Sequence, residues 1–134
     1  MSVVLDTNAL VWAFEGSQAL GSRAAQSIDQ AVLDGNAHVS AISFWELALK
    51  IRRGKFGLSQ SVADWRSNVL RYGVREVPID GVIGIAANEL RNLHDDPADR
   101  LIVATALRLG ASLATSDARL LSWNGPLARI DARV

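Results

Sequence analysis

Four acidic residues of this chain stand beside apolar segments, where a folded protein places few charges. They are Asp6 in VVLDTNALVW, Glu46 in SAISFWELALK, Asp99 in HDDPADRLIVATA and Asp117 in LATSDARLL. A carboxylate at the edge of a core is unfavourable without a compensating partner, and carboxylates that meet raise one another's pKa values. A hard divalent cation such as Mg²⁺ or Mn²⁺ relieves both effects. The four acids therefore predict a metal-dependent enzyme.

Hydrolysis of a phosphodiester bond is the chemistry that such a site suits best, because a bound metal ion lowers the pKa of water and offsets charge on the phosphoryl oxygens. We expect Asp6, Asp99 and Asp117 to hold the metal, with Asp6 in the central position. Glu46 would be an outer ligand or would orient the attacking water. Mg²⁺ keeps several of its waters, so the acids need not all touch it.

Each acid also has a purely structural explanation. Asp6 and Asp117 suit helix N-caps, and Asp99 suits the first turn of a helix, where the dipole favours negative charge. Glu46 can complete a capping box with Ser43 or pair with the lysine four positions later. The metal interpretation therefore depends on the four acids meeting.

Polar neighbours of the acids are candidates to support the site, since a hydroxyl, amide or carboxylate can hydrogen-bond a ligand or a bound water. This predicted supporting set is Thr7, Asn8, Asp96, Thr115 and Ser116. Turn or cap roles explain these residues equally well. The two histidines, His38 and His94, have no partner in the sequence that suggests acid–base work, and we expect the chemistry to need neither.

A basic stretch, KIRRGK, follows Glu46. Lys and Arg contacts to phosphates dominate affinity for nucleic acids. The predicted RNA-binding residues are Lys50, Arg52, Arg53, Lys55 and, beside the third acid, Arg100. A solvated helix end is the alternative explanation for the stretch. The four tryptophans are expected mainly in the core or an interface, with base stacking as a role for an exposed one.

The segments that carry these residues alternate between strand and helix patterns. Strands are predicted over residues 2–5, 37–43, 74–79 and 111–115, with a last edge strand in LARIDARV. Helices are predicted between the strands. One of them is capped by Ser43 and runs to Arg53, and another covers residues 82–93. The alternation indicates an α/β fold with a mostly parallel sheet covered on both faces. Ligands of such sheets bind at the carboxyl ends of strands, where all four acids would begin or end an element.

Composition limits the remaining possibilities. The 134 residues suit one domain, 1–134, and 49% hydrophobic content argues against disorder. The absence of cysteine excludes disulfides and thiolate metal sites. The net charge of the chain is zero, whereas many nucleic-acid-binding proteins are basic overall. No signal peptide or membrane-spanning run is apparent, so we expect a cytoplasmic protein.

The motifs VVLDTNALVW, SAISFWELALKIRRGKFGL, HDDPADRLIVATAL and LATSDARL, in this order over nearly the whole chain, resemble those of PIN-domain nucleases, and in particular of VapC-like toxins. The resemblance implies a three-layer α/β/α sandwich. It also implies that Asp6, Glu46, Asp99 and Asp117 form the metal-binding quartet, with Asp96 as an outer-shell acid. The expected activity is that of an Mg²⁺- or Mn²⁺-dependent endoribonuclease toxin, and the expected partners are RNA, a cognate antitoxin and a second copy in a homodimer.

Several alternatives stay open beside this expectation. A PIN-type nuclease of RNA processing or of DNA, or a catalytically silent binding module, would use the same scaffold. Other Mg²⁺-dependent α/β classes fit less well. Phosphoryl-transfer hydrolases usually carry a second Asp where Asn8 stands, and a receiver needs a lysine after a late strand, whereas the lysines here are Lys50 and Lys55. The sequence leaves the RNA target, the antitoxin and the number of metal ions undetermined.

Overall fold

The computed structural model describes residues 1–134 as five strands and seven helices in alternation. In chain order they are β1 (Val3–Leu5), α1 (Thr7–Phe14), α2 (Ser22–Leu33), β2 (Ala37–Ser40), α3 (Ala41–Arg52), α4 (Val62–Tyr72), β3 (Arg75–Val77), α5 (Gly81–Glu89), α6 (Pro97–Leu109), β4 (Ser112–Thr115), α7 (Ala118–Leu121) and β5 (Arg129–Asp131). None of these helices is both long and apolar enough to cross a membrane.

The strands form one sheet in the order β3-β2-β1-β4-β5, and all four pairings are parallel. The chain builds outward from β1 through β2 to β3, and then returns to add β4 and β5 on the other side. Such a reversal of strand order opens a crevice at the carboxyl ends of the two central strands. The predicted α/β fold is confirmed, and β1 and β4 meet at the point where a ligand site is expected.

Helices cover both faces of the sheet because alternate residues of a strand point to opposite sides. Val3 and Leu5 join a core cluster that includes residues of α1 to α4. Val4, between them, packs with Leu113 of β4 against residues of α6 and α7, among them Ile102. The result is the three-layer α/β/α arrangement that we expected.

Helix α3 begins earlier than predicted, and the assignment of Ser43 as its N-cap is wrong. Ser40 is the N-cap, and its hydroxyl accepts a hydrogen bond from the backbone N–H of Ile42 at 3.2 Å. Ser43 lies inside the helix and is fully buried. Strand β2 therefore ends at Ser40 rather than at residue 43, and the capping box between Ser43 and Glu46 does not form.

Helix α5 ends at Glu89, four residues before its predicted end. The guanidinium of Arg100 stabilises this end of the helix. It donates hydrogen bonds to the carbonyls of Ala87, Leu90, Leu93 and His94 at 2.7–3.2 Å. Carbonyls at a helix C-terminus lack partners within the helix. Arg100 supplies those partners and fixes the following loop.

Candidate active site

Asp6 leaves β1 at the reversal point of the sheet and is almost completely buried, with 6% of its surface exposed. Oδ1 accepts a hydrogen bond from the backbone N–H of Ala9 at 2.8 Å and so caps α1. Oδ2 accepts one from the hydroxyl of Thr115. The cap explanation and the site explanation of Asp6 are thus compatible, because each uses a different oxygen.

Strand register explains the contact between Asp6 and Thr115. Leu5 of β1 pairs with Ala114 of β4, so the next residue of each strand lies at the same edge of the sheet. The backbone N–H of Asp6 also donates to the carbonyl of Ala114 at 3.0 Å. Burial raises the pKa of Asp6 to about 6, although the bonds from Thr115 and Ala9 act in the opposite direction.

Asp99 lies in the first turn of α6 and pairs with His94. The Nε2 atom of His94 is 2.7 Å from Oδ2 of Asp99, a hydrogen bond in which the ring donates. Burial raises the pKa of Asp99, and the negative charges of Asp96 and Asp117 raise it further, against the bond from His94. His94, for which the sequence indicated no partner, thus hydrogen-bonds one of the predicted metal ligands. His38 hydrogen-bonds only the backbone carbonyl of Asn36, at 3.1 Å.

Asp117 follows β4 and caps the short helix α7. The Nη2 atom of Arg119 lies 3.0 Å from one oxygen of Asp117 and 3.6 Å from Oδ2 of Asp99. The hydrogen bond from Arg119 lowers the pKa of Asp117. One ligand atom from each of His94, Asp99 and Asp117 lies within 4.8 Å of the others. The third and fourth acids therefore meet, as predicted, and a histidine and an arginine lie beside them.

Glu46 lies on α3 at the same edge of the sheet, where hydroxyl groups hold its side chain. The hydroxyl of Thr7 hydrogen-bonds Oε1 of Glu46 and lies 2.9 Å from the hydroxyl of Ser43. The charges of Glu46 and Asp99 both contribute to the raised pKa of Asp6. No ion pair joins Glu46 to the lysine four positions later. The structure thus brings all four predicted acids to one edge of the sheet.

The predicted supporting residues differ in what they contact. Thr115 donates to Asp6 and accepts a hydrogen bond from the backbone N–H of Asp117 at 3.0 Å, so it links two acids. Asp96 caps α6 through the N–H groups of Ala98 and Asp99. The remaining pair, Asn8 and Ser116, makes no side-chain hydrogen bond within the chain; Asn8 is exposed and Ser116 is half-buried.

The guanidinium of Arg100 is occupied by hydrogen bonds within the protein. Four of its N–H donors already bind the protein's own carbonyls, so the prediction that it binds RNA is corrected to a structural role. The basic stretch after Glu46 is different, because Arg52, Arg53 and Lys55 are exposed and Lys50 is half-buried. None of these four side chains forms an ion pair within the chain.

The donor set fits an oxygen-binding divalent ion. Asp6, Asp99 and Asp117 offer carboxylate oxygens, the ligands that Mg²⁺ and Mn²⁺ prefer. The raised pKa values of Asp6 and Asp99 reflect unfavourable burial and mutual repulsion of negative charge. A cation among these groups would relieve both effects, whereas a purely structural cap would not require four acids to converge.

Thr115→Val tests whether the hydroxyl between two acids tunes the site. Without that bond, the pKa of Asp6 should rise further, and the protonated acid binds metal less well. We expect the affinity for Mn²⁺ to fall about tenfold, as for other groups that orient a ligand, with a larger deficit at pH 6 than at pH 8. Calorimetric titration with Mn²⁺ measures this. Thr105→Val is the matched control, since Thr105 is equally buried but bonds only the carbonyl of Leu101. Equal affinities in the two variants would contradict the assignment.

Comparison with known proteins gives a family match over most of the chain. A family model described as the PIN domain matches residues 3–123. The chain is 35% identical over 126 residues to ribonuclease VapC22 of Mycobacterium tuberculosis, an alignment that covers 93% of this chain and 94% of that protein.

Solved structures with the same fold are more distant in sequence. VapBC2 from Rickettsia felis, bound to a promoter DNA fragment, matches with a TM-score of 0.69 at 17% identity over 97% of this chain and 98% of that chain. A toxin–antitoxin complex from Klebsiella pneumoniae matches with a TM-score of 0.62 at 20% identity, over 96% of each chain. At these identities the likeness concerns the fold alone. Together with the family model and the mycobacterial relative, it confirms the resemblance stated from the motifs: the chain belongs to the PIN-domain family.

Proposed function

We propose that this chain is a metal-dependent endoribonuclease and the toxin of a toxin–antitoxin pair. The observation that carries the proposal is the convergence of Asp6, Glu46, Asp99 and Asp117 at the carboxyl ends of β1 and β4, with Asp6 buried and its pKa raised to about 6. The relative from Mycobacterium tuberculosis, named as a ribonuclease, aligns over nearly the whole chain and supports the choice of RNA as substrate.

Asp6, Asp99 and Asp117 would hold Mg²⁺ or Mn²⁺, which supplies an acidified water and offsets negative charge on the scissile phosphate. The neighbouring side chains position these ligands. Thr115 fixes one oxygen of Asp6, and His94 fixes one oxygen of Asp99.

Glu46 and Arg119 lie beside these ligands and have complementary roles in the proposal. Thr7 fixes Glu46, which leaves its second oxygen available to orient a water molecule. Arg119 provides a largely exposed cation beside Asp117 and Asp99, and its planar guanidinium suits a phosphate.

The proposed partners are a cognate antitoxin and a second copy of this chain. Support for an antitoxin comes from the fold match to a toxin–antitoxin complex. Support for additional protein contacts comes from apolar side chains left at the surface, among them Val82 and Ile85 of α5, which are 52% and 64% exposed. Apolar patches of this kind commonly mark protein interaction sites.

The test is cleavage of RNA by the purified protein in Mg²⁺, in Mn²⁺ and in EDTA, with Asp99→Asn as the inactivated variant. Asp29→Asn is the matched control, because Asp29 is an exposed acid of α2 that makes no side-chain hydrogen bond. We expect cleavage that requires metal, persists in the control and is lost in Asp99→Asn. Cleavage in EDTA would contradict the proposal, and metal-dependent cleavage of single-stranded DNA alone would favour the DNA alternative.

A further inference from the structure

A cavity of about 370 Å³ lies directly beside the acid site, between α3 and the beginning of α6. Its lining includes Trp45, Glu46, Lys50, Arg53, Lys55 and Pro97. Two of the acids at the site, Glu46 and Asp96, form part of the lining. A molecule in this cavity would therefore lie next to the position at which a phosphodiester bond is cut.

Trp45 is the tryptophan that the fold leaves exposed. It is 57% exposed, whereas Trp65 and Trp123 are 2% and 7% exposed, and Trp12 packs against the core. An exposed tryptophan in the middle of a helix contributes little to the stability of the chain that carries it. Its ring offers a flat apolar face, on which any nucleobase can stack.

Three cations surround the same cavity, and the chain leaves them without partners. Lys50, Arg53 and Lys55 form no ion pair within the protein. Lys50 is one turn from Glu46 on the same helix, yet the two do not pair. The lining thus combines an apolar ring with three cations and two acids, Glu46 and Asp96, whereas the whole chain has no net charge.

We propose that this cavity binds one unpaired nucleotide of a single-stranded RNA substrate. Trp45 stacks on the base, and Lys50, Arg53 and Lys55 contact the phosphates on either side of it. The volume suits one small ligand rather than a duplex, and in duplex RNA the bases are stacked and their faces are inaccessible. The inference rests on the proposed ribonuclease function and adds to it a subsite for one unpaired nucleotide.

The experiment measures binding of a fluorescent RNA of eight uridines to the protein in EDTA, where metal-dependent cleavage is prevented. A blunt-ended RNA duplex of similar charge, which has no unpaired nucleotides, is the second probe. We expect Trp45→Ala to weaken binding of the single strand about 5-fold to 150-fold, the range for loss of one stacked base, and Trp45→Phe to recover much of it. Tyr72→Ala is the matched control, since Tyr72 is 66% exposed on α4 and does not line the cavity.

The cations are tested through the salt dependence of binding. Each phosphate contact to a single strand contributes about −0.7 to the slope of log affinity against log salt concentration. Arg53→Ala should make the slope shallower by about this amount. Arg52→Ala should change it less, because Arg52 is adjacent in sequence but does not line the cavity.

Three outcomes would overturn the inference while leaving the proposed function intact. The first is metal-dependent cleavage by the wild type together with equal RNA binding by Trp45→Ala and Tyr72→Ala. The second is a change of oligomeric state in Trp45→Ala, measured by light scattering, which would make Trp45 a contact between subunits. The third is equal binding of the single strand and the blunt-ended duplex. A wild type that neither binds nor cleaves any RNA would overturn the proposed function itself.

Discussion

Asp6→Asn should abolish metal-dependent RNA cleavage and, in the absence of metal, should make the protein more stable at neutral pH. The amide keeps the volume of the side chain and can still accept the cap bond from the N–H of Ala9, but it has no charge to offer a cation. Loss of activity together with a gain in stability would show that Asp6 acts as a metal ligand, because loss of a residue with only a structural role would lower stability. Added Mn²⁺ should raise the melting temperature of the wild type but not that of the variant.

The pH dependence of this difference follows from the raised pKa of Asp6. An unfolded chain releases this proton near pH 3.8, whereas the folded protein releases it near pH 6. Between these values the folded state binds more protons, so the stability of the wild type falls as the pH rises, and the full penalty applies above pH 6. A shift of this size corresponds to about 3 kcal/mol. The variant should show no such contribution.

Urea unfolding in EDTA at pH 4, 5, 6 and 7.5 measures both profiles. The stability difference between Asp6→Asn and the wild type should grow with pH and become constant above about pH 6. Other titrating groups are common to the two proteins and largely cancel in the difference. Parallel profiles, or a variant that is less stable at pH 7.5, would show that the buried carboxylate is not the source of an electrostatic penalty.

Arg100→Ala should destabilise the protein by about 2–4 kcal/mol, the range expected when a partly buried charged donor leaves several carbonyls without partners. The four carbonyls that it binds belong to the end of α5 and to the loop that carries His94. Urea unfolding measures the loss. The loop should also become more mobile, and faster amide hydrogen exchange in residues 90–96 would report this.

Two variants control for the charge of Arg100. Arg100→Lys keeps the charge but has no planar set of donors, so it should recover little of the stability. Arg108→Ala removes an exposed cation from the last turn of the same helix and should change stability by less than about 0.5 kcal/mol. If Arg100→Lys were as stable as the wild type, the hydrogen-bond geometry would not be the cause.

Local patterns were sufficient to predict a mostly parallel sheet, and they placed the acids where they could meet, without establishing the strand order or the meeting itself. Short apolar runs ending in Asp6 and in Thr115 identified two strands, and parallel strands necessarily bring their carboxyl ends to one edge. The acids at the beginnings of α6 and α7 followed from cap and first-turn preferences. These preferences depend only on neighbouring residues, so they can be recognised in a single sequence.

Contacts made by side chains across the fold could not be predicted in the same way. His94 and Arg119 stand near acids in the sequence, but nothing local reveals that both point at Asp99. Arg100 was predicted to bind RNA because it follows Asp99. Successive helical residues point about 100° apart, however, and its guanidinium binds carbonyls at the end of α5 instead. Ser43 matched a capping box by spacing alone, while Ser40 provided the actual cap.

The pairing of β1 with β4 makes the order of synthesis matter. Asp6 is made early, yet the hydroxyl that fixes it belongs to Thr115, 109 positions later. A nascent chain on the ribosome must therefore extend past residue 117 before its acids can assemble, and contacts of such long range form slowly in folding. A partly translated chain consequently lacks the assembled acid site, because the residue that fixes Asp6 has not yet been made.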